Sequence, residues 1–348
     1  MKIFRIFILL FIQNNISLFG QEFCEASRNI EYNPSILVRD DSAFIKMKLY
    51  VHIIKDNQGI GQLDDDNVEL GFDFLDNVFS NINVSFEIAD RDTIFSDFFN
   101  DTGFITARDS LIFSRFHDDG IDIYIGREDE QGVGYSFFPI TAVAFRGSNE
   151  ENIPLMAHYV LTHEIGHIVG LEHTHKNNAP SNNPDVIERV VRVNDGDCEA
   201  NCAIKGDQFC DTPADHNIIS SVDSNCIYSS DLVDPCGYNY EPDVENIMSY
   251  THMLCAQHFS ESQNELALYT IQHEPDIFET VISISSIVGD FNADLQLNII
   301  DVVSLVNVIL ENNSFSNYQI SMMDMNDDLL VNIADVVTLV NVIFDNME

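Results

Sequence analysis

The sequence predicts a mixed α+β fold: a twisted sheet of α/β type with helices packed against it, followed by a small all-α module. Three observations carry this reading. Apolar residues alternate with period two in several short runs and recur at helical spacing in others. Regular periodicity then disappears from Glu172 to Met248, where Asn, Asp, Gly, Pro and Cys dominate. Finally, Gly289 to Leu310 recurs at Met323 to Phe344 with a 34-residue offset, Asp290 matching Asp324. A chain of 348 residues can bury a substantial core and still carry such a second module.

In chain order, the first strand is Met47 to Ile54, ended by the turn-forming Asp56-Asn57-Gln58-Gly59. A helix follows, with acids Asp64 to Asp66 at its start and Val68, Phe72, Leu75, Phe79 and Ile82 at helical spacing. Val84, Phe86 and Ile88 alternate as a second strand, and Ile121, Ile123 and Ile125 as a third. Gly132 to Phe138 and Ala142 to Phe145 supply further strand-like pieces, and a second helix runs from about Pro154 to Val169. Ser260 begins the last helix of this unit, with Gln263 placed to complete a capping box. The expected divisions are an export signal at 1–20, a short N-terminal or pro-segment at 21–45, a main domain at 46–282 and the repeat domain at 286–348.

The export signal is read from Lys2 and Arg5 ahead of the apolar stretch Ile6 to Ile12, with Gly20 as the cleavage point. That stretch is too short to span a bilayer, and no later segment reaches about 18 uninterrupted apolar residues. Seven cysteines fit an exported, oxidised protein: Cys24, Cys198, Cys202, Cys210, Cys226, Cys236 and Cys255. Six crowd into one loop-rich stretch, and the odd count leaves one thiol free or paired outside the chain. The 57 acidic against 16 basic residues give a net charge of −41. Such a surface repels nucleic acid and anionic lipid, which excludes both as partners. Part of the acid excess has cation-ligand spacing; the rest is a solvated surface.

The segment that carries chemistry reads His163-Glu164-Ile165-Gly166-His167-Ile168-Val169-Gly170-Leu171-Glu172-His173. Residues four apart share one helix face, so His163 and His167 can place two imidazoles on one metal. Glu164, beside the first ligand, can reach a water there. Gly170 is where the helix can stop, since glycine tolerates the left-handed conformation that turns the chain. The turn brings His173 round as third ligand; His175 is its rival on distance alone. Three protein ligands leave one position open for water, as a catalytic zinc requires. A bare His-Glu-x-x-His arises by chance in roughly 2% of chains of this composition. Fixing Gly170 and His173 as well lowers that to about a few in 100,000, which favours the metal reading.

This extended segment resembles that of the metzincin zinc metallopeptidases, and its Gly-Leu-Glu-His-Thr ending is similar to the pappalysin (cytophagalysin-like) branch. Asn246-Ile247-Met248-Ser249-Tyr250 resembles the methionine turn of metzincins, and Gly206-Asp207 and Cys210-Asp211-Thr212-Pro213 resemble the pappalysin loop before it. The likeness covers about Met47 to Gln272. It implies Met248 as an apolar floor under the imidazoles, and Tyr250 near the metal as a donor to the developing oxyanion. It also implies disulfides Cys210–Cys236 and Cys226–Cys255, while Cys198 and Cys202 lie in an extra segment and can pair with each other. Cys24 is either a latency switch that caps the zinc or an unpaired or differently paired cysteine; Glu25 stands where such switches carry glycine. Asp207, Asp211 and Thr212 either bind a structural calcium or form a solvated turn. Gly134 to Phe138 is either the sheet edge that pairs with an extended substrate or a buried strand.

In the repeat, Asp290, Asn292, Asp294, Asn298 and Asp301 occupy positions 1, 3, 5, 9 and 12 of a calcium loop. Asp324, Asn326, Asp328, Asn332 and Asp335 repeat the set. Each loop leads into an apolar helix, Ile299 to Leu310 and Ile333 to Phe344. The pair resembles a type I dockerin, implying two calcium ions and a cohesin-like or cell-surface partner; similar repeats also serve as stabilising tails. Position 6, usually glycine, is Leu295 and Leu329. A leucine at positive φ costs on the order of 1 kcal/mol, so weakened affinity is expected.

The expected function is therefore a secreted zinc endopeptidase acting on protein or peptide, with Glu164 as general base. The alternative is a calcium-dependent adhesion or scaffold protein with an inert protease-like domain. Loss of a ligand or of the base would favour it, and none is missing. A zinc hydrolase of small molecules lacks support from the methionine turn.

Overall fold

The structure is a computed structural model that describes residues 44–60, 65–98, 115–127, 134–137, 140–147, 153–176, 187–285, 289–291, 296–310, 323–326, 328 and 330–345. The export signal, Cys24, Asn292, Asp294, Leu295 and Leu329 lie outside the described residues.

The main unit is of α+β type. Its elements run β1 (Phe44–Lys55), α1 (Asp65–Phe79), β2 (Val84–Phe95), β3 (Ile121–Arg127), β4 (Gly134–Phe137), β5 (Ile140–Gly147), α2 (Ile153–Ile168), α3 (Glu261–His273), α4 (Pro275–Phe278) and β6 (Val281–Ser285). The sheet order is β2-β1-β3-β5-β4, with β6 also on β1. The pairs β1–β2, β1–β3 and β3–β5 are parallel, whereas β4 runs antiparallel to β5 and forms an edge. Sequence reading did not expect β6. It pairs antiparallel with Phe44–Met47, just ahead of the stretch of β1 that pairs with β3, and carries the sheet to Ser285.

β1 is central because it is apolar on one face and polar on the other. Ile45, Met47, Leu49, Val51 and Ile53 are buried with Leu75 and Phe79 of α1 and Ile165 and Ile168 of α2. Each such side chain, taken fully out of water, stabilises by about 1.5–3 kcal/mol. The alternation in β2 breaks at Ala89, because Leu49 pairs with Ile88 but Tyr50 with Asp90. Past this bulge Asp92 lies beside His52, whose Nδ1 is 2.6 Å from Asp92 Oδ1 and whose Nε2 is 2.9 Å from Asp122 Oδ1. Burial pulls the His52 pKa down, but the hydrogen bonds to Asp122 and Asp92 outweigh it and raise the value above that of an ordinary histidine. This imidazolium ties three parallel strands together.

At the C-terminal end, α5 (Ile299–Leu310) and α6 (Ile333–Asp345) bury Val302, Leu305, Met323, Val336 and Leu339 as a cluster of their own. Gly289 has φ +92°, and a β-carbon there would stand 2.8 Å from Leu339 Cδ1. Among the described residues no helix is long and apolar enough to cross a membrane.

Candidate active site

α2 supplies the first part of the site. Its last turn closes as a Schellman motif: Leu171 N–H donates to Gly166 O at 2.9 Å and Gly170 N–H to His167 O at 3.0 Å. Gly170 takes φ +88°, the left-handed value that a side chain would resist. The chain then doubles back and carries His173 beneath the helix. The Nε2 atoms of His163, His167 and His173 stand 3.1–3.2 Å from one another. The structure thus brings His173, not His175, into the triad; His175 stacks on it at 4.9 Å.

The tautomers decide what this convergence means. His163 Nδ1 donates to Ile247 O and His167 Nδ1 to Leu171 O, both at 2.7 Å. With those protons on Nδ1, the two Nε2 atoms of the neutral rings point lone pairs at a common point. Burial holds all three imidazoles neutral: His163 is lowered to about 4, and His167 and His173 fall well below the ordinary histidine value. Lone pairs crowded at 3.1–3.2 Å repel unless a cation lies between them, and neutral imidazoles whose Nδ1–H groups are anchored to carbonyls suit a zinc ion. His52, His117 and Asp122 form a contrasting group. Their N···O contacts of 2.7 and 2.9 Å are hydrogen bonds that protons satisfy, so no metal is called for.

The loop 246–250 packs against α2. Asn246 Oδ1 accepts Met248 N–H at 2.9 Å, and Asn246 Nδ2 donates to Gln263 Oε1 at 2.8 Å. Gln263 also completes the capping box of α3 with Ser260, so this helix start and the turn are locked together. Met248 is fully buried, and a β-carbon at Gly166 would lie only 2.6 Å from its sulfur. Glu164 is buried on α2 beside His163. The Tyr250 ring lies 4.7 Å from His173, 4.5 Å from His175 and 6.0 Å from His163. Tyr159, one turn before His163, donates its hydroxyl to Ser249 O at 2.7 Å.

The cysteine loop departs from expectation. The structure pairs Cys226 with Cys255, but it joins Cys198 to Cys236 and Cys202 to Cys210. The expected Cys210–Cys236 and Cys198–Cys202 bonds are therefore not formed. Lys205 N–H on Asn201 O and Gln208 N–H on Lys205 O fold residues 201–208 back on themselves, bringing the Cα atoms of Cys202 and Cys210 to 5.0 Å. Cys198 is then left to Cys236, whose turn is held by Asp234, which also accepts Val190 N–H.

Of the three residues read as either a calcium site or a solvated turn, Asp211 accepts Ser262 N–H at the start of α3. Thr212 donates to the buried Asp207 at 2.9 Å. Burial pushes the Asp207 carboxyl up to about 7, against hydrogen bonds from Phe209 N–H and Thr212. Its Oδ2 is buried with no hydrogen-bond partner among the described residues. In the repeat, Asp290, Asp301 and Asp335 are fully buried. Asp301 and Asp335 each accept a backbone N–H, from Asn298 and Asn332, at 2.8 Å. Asp335 Oδ1 is buried with no partner among the described residues.

Sequence reading named His175 as a rival ligand but missed Gly166 and Tyr159 as neighbours of the triad. Only Gly166 left a trace there, as a small residue inside a helix of bulky ones.

The sequence is similar to an extracellular metalloprotease of Podospora anserina, 24% identical over 267 residues that span 70% of this chain and 80% of that protein. No family model matches. Among solved structures, a variant of Tannerella forsythia promirolysin superposes with TM-score 0.47 and 17% identity, covering 68% of this chain and 83% of that one. A mirolysin complex gives 0.48 and 17%, over 68% and 96%.

Proposed function

We propose that the chain is a secreted zinc-dependent endopeptidase of metzincin type, closest in motif to the pappalysin branch. The observation that carries this is the meeting of three neutral Nε2 atoms, two with their opposite nitrogens anchored on carbonyls. The similarity to an extracellular metalloprotease supports both the reaction and the export. His163, His167 and His173 hold the zinc, which when bound supplies Lewis acidity that acidifies water and polarises the scissile carbonyl. Glu164 takes the proton of the attacking water and returns it to the leaving amine. Tyr250 donates to the oxyanion of the tetrahedral intermediate. Met248 seats the imidazoles from below. The edge strand β4 pairs with an extended substrate, since its outer N–H and C=O groups are turned away from β5.

The division at 46–282 and 286–348 follows from the same reading, as does calcium in the repeat. Buried carboxylates at positions 1 and 12, with Asp335 Oδ1 unpartnered, suit a hard cation. Asp207 Oδ2 argues likewise for a cation beside Thr212. The repeat then serves as a stabilising tail or docks a cohesin-like or cell-surface partner.

The test assays casein or gelatin cleavage by the mature chain, with and without chelator, against Glu164→Ala. Activity that is lost on chelation, restored by zinc and absent from the variant is expected. Equal activity in Glu164→Ala rejects the mechanism.

A further inference from the structure

We propose that Asp215 is the positioning residue that fixes the third zinc ligand against the methionine turn; this rests on the metal-site reading above. His173 and Met248 lie on two irregular segments, 75 residues apart in sequence. Neither is held by a helix or a strand ladder, yet His173 must meet His163 and His167 to within tenths of an ångström. One side chain spans both segments. Asp215 Oδ2 accepts the Thr174 hydroxyl at 2.7 Å and the Ser249 hydroxyl at 2.6 Å, and Oδ1 accepts Asn217 N–H at 2.7 Å. Thr174 follows His173 directly, and Ser249 separates Met248 from Tyr250.

The surroundings make this contact consequential. Asp215, Thr174 and Ser249 are all essentially buried, at 1%, 3% and 0% exposure. A buried carboxylate is costly unless several donors meet it, and here two hydroxyls and a backbone N–H do so at charge-assisted lengths. Donors that approach one carboxylate oxygen from different segments define the gap between those segments. A direct bond already runs along the same seam, Thr174 N–H to Met248 O, but at 3.2 Å it is the longer link. Asp215 lies in the loop between the Cys202–Cys210 and Cys226–Cys255 disulfides, so the covalent frame flanks it on both sides. Its effect on the metal therefore passes through Thr174 to His173, and through Ser249 to Met248 and Tyr250.

The test measures zinc affinity of the mature chain by chelator competition, together with the visible spectrum of the cobalt-substituted protein. Thr174→Val and Asp215→Asn are expected to weaken zinc binding about 10–100-fold, the range for residues that orient ligands. They should also shift the cobalt band, which reports ligand geometry rather than stability. Thr174→Ser, which keeps the hydroxyl, is expected to restore both to near the wild-type values. Melting of the metal-free forms identifies any variant that fails to fold; Ser249→Ala then carries the same measurement from the other arm. A wild-type chain that takes up zinc, with variants indistinguishable in affinity and spectrum, overturns the clamp alone. A wild-type chain that takes up no zinc refutes the metal site itself, and the proposal with it.

Discussion

Gly166→Ala sets two sizeable effects against each other. In a helix interior, alanine is favoured over glycine by about 0.8–1 kcal/mol. At this position, however, the added methyl stands 2.6 Å from Met248 Sδ, 3.5 Å from its Cε and 3.4 Å from Phe259 Cζ. A comfortable carbon contact is about 3.5–4.0 Å, so Met248 must retreat by roughly an ångström. A thioether is flexible, but Met248 is fully buried within the main core. Overpacking of such a site costs about 1–3 kcal/mol. The clash outweighs the propensity gain over nearly all of that range, leaving a net loss of up to about 2 kcal/mol. At about 2–4 °C per kcal/mol, the metal-free mature chain should melt below wild type, by up to roughly 8 °C. Pairing the change with Met248→Ala provides the control: the methyl then occupies vacated space, and a favourable coupling of about 1 kcal/mol is expected. Calorimetry of the four proteins measures both quantities. A Gly166→Ala chain that melts at or above wild type would show that helix propensity dominates, and that sulfur and helix are not in the contact described.

Three further outcomes are expected. On the oxyanion role proposed for Tyr250, a donor needed only in the transition state, Tyr250→Phe should lower kcat about 100-fold with little change in KM, as measured by steady-state peptide hydrolysis. Peptide mapping without reduction should recover Cys198–Cys236, Cys202–Cys210 and Cys226–Cys255; a Cys210–Cys236 peptide would contradict the loop. Asp76, which accepts Phe86 N–H at 2.9 Å, is pushed by burial up to about 6 from 3.8. The folded chain holds that proton more tightly than the unfolded one, so this carboxyl loses stability for the fold as pH rises from about 4 to 6. Asp76→Asn should consequently be near neutral at pH 4 and stabilising by about 3 kcal/mol at pH 8 in denaturant titrations, the shift from 3.8 to about 6 counted at about 1.4 kcal/mol per pH unit.

How much of this was legible in the sequence follows from the range of each interaction. Period-two and period-3.6 patterns are local, so β1, α1, β3 and α2 could be read directly, and so could the capping box at Ser260 and Gln263. The spacing of His163, His167 and His173 was legible for the same reason: a helix and one glycine turn fix it. β6 was not, because five residues rich in Val, Ile and Ser gain their role only from Phe44–Met47, far away in sequence. The bulge at Ala89 hid the continuation of β2, since it reverses which residues face the core. Cysteine pairing was least legible. The closure of residues 201–208 on themselves depends on backbone hydrogen bonds that no residue pattern announced, and it redirected two of the three bonds.

The same distinction explains how the site is built. α2 offers two imidazoles and Glu164 from a rigid helix that is itself part of the main core, so the backbone of that half is placed without the loops. The other half, with His173, Met248 and Tyr250, lies on loops: Ile247 and Met248 reach into the main core, while the loops' separate apolar cluster, Ile218, Val222 and Cys255, is small. Apolar burial is non-directional and does not by itself define ligand positions to tenths of an ångström. Directional bonds take its place there: Ile247 O to His163, Leu171 O to His167, Asn246 to Met248 and Gln263, and Tyr159 to Ser249. Three disulfides shrink the conformations from which those bonds must be found. Two of these bonds do double duty: the carbonyls that anchor the loops also hold the Nδ1 protons of His163 and His167. Loosening the loops would therefore release the tautomers as well as the distances, and both halves of the metal site would fail together.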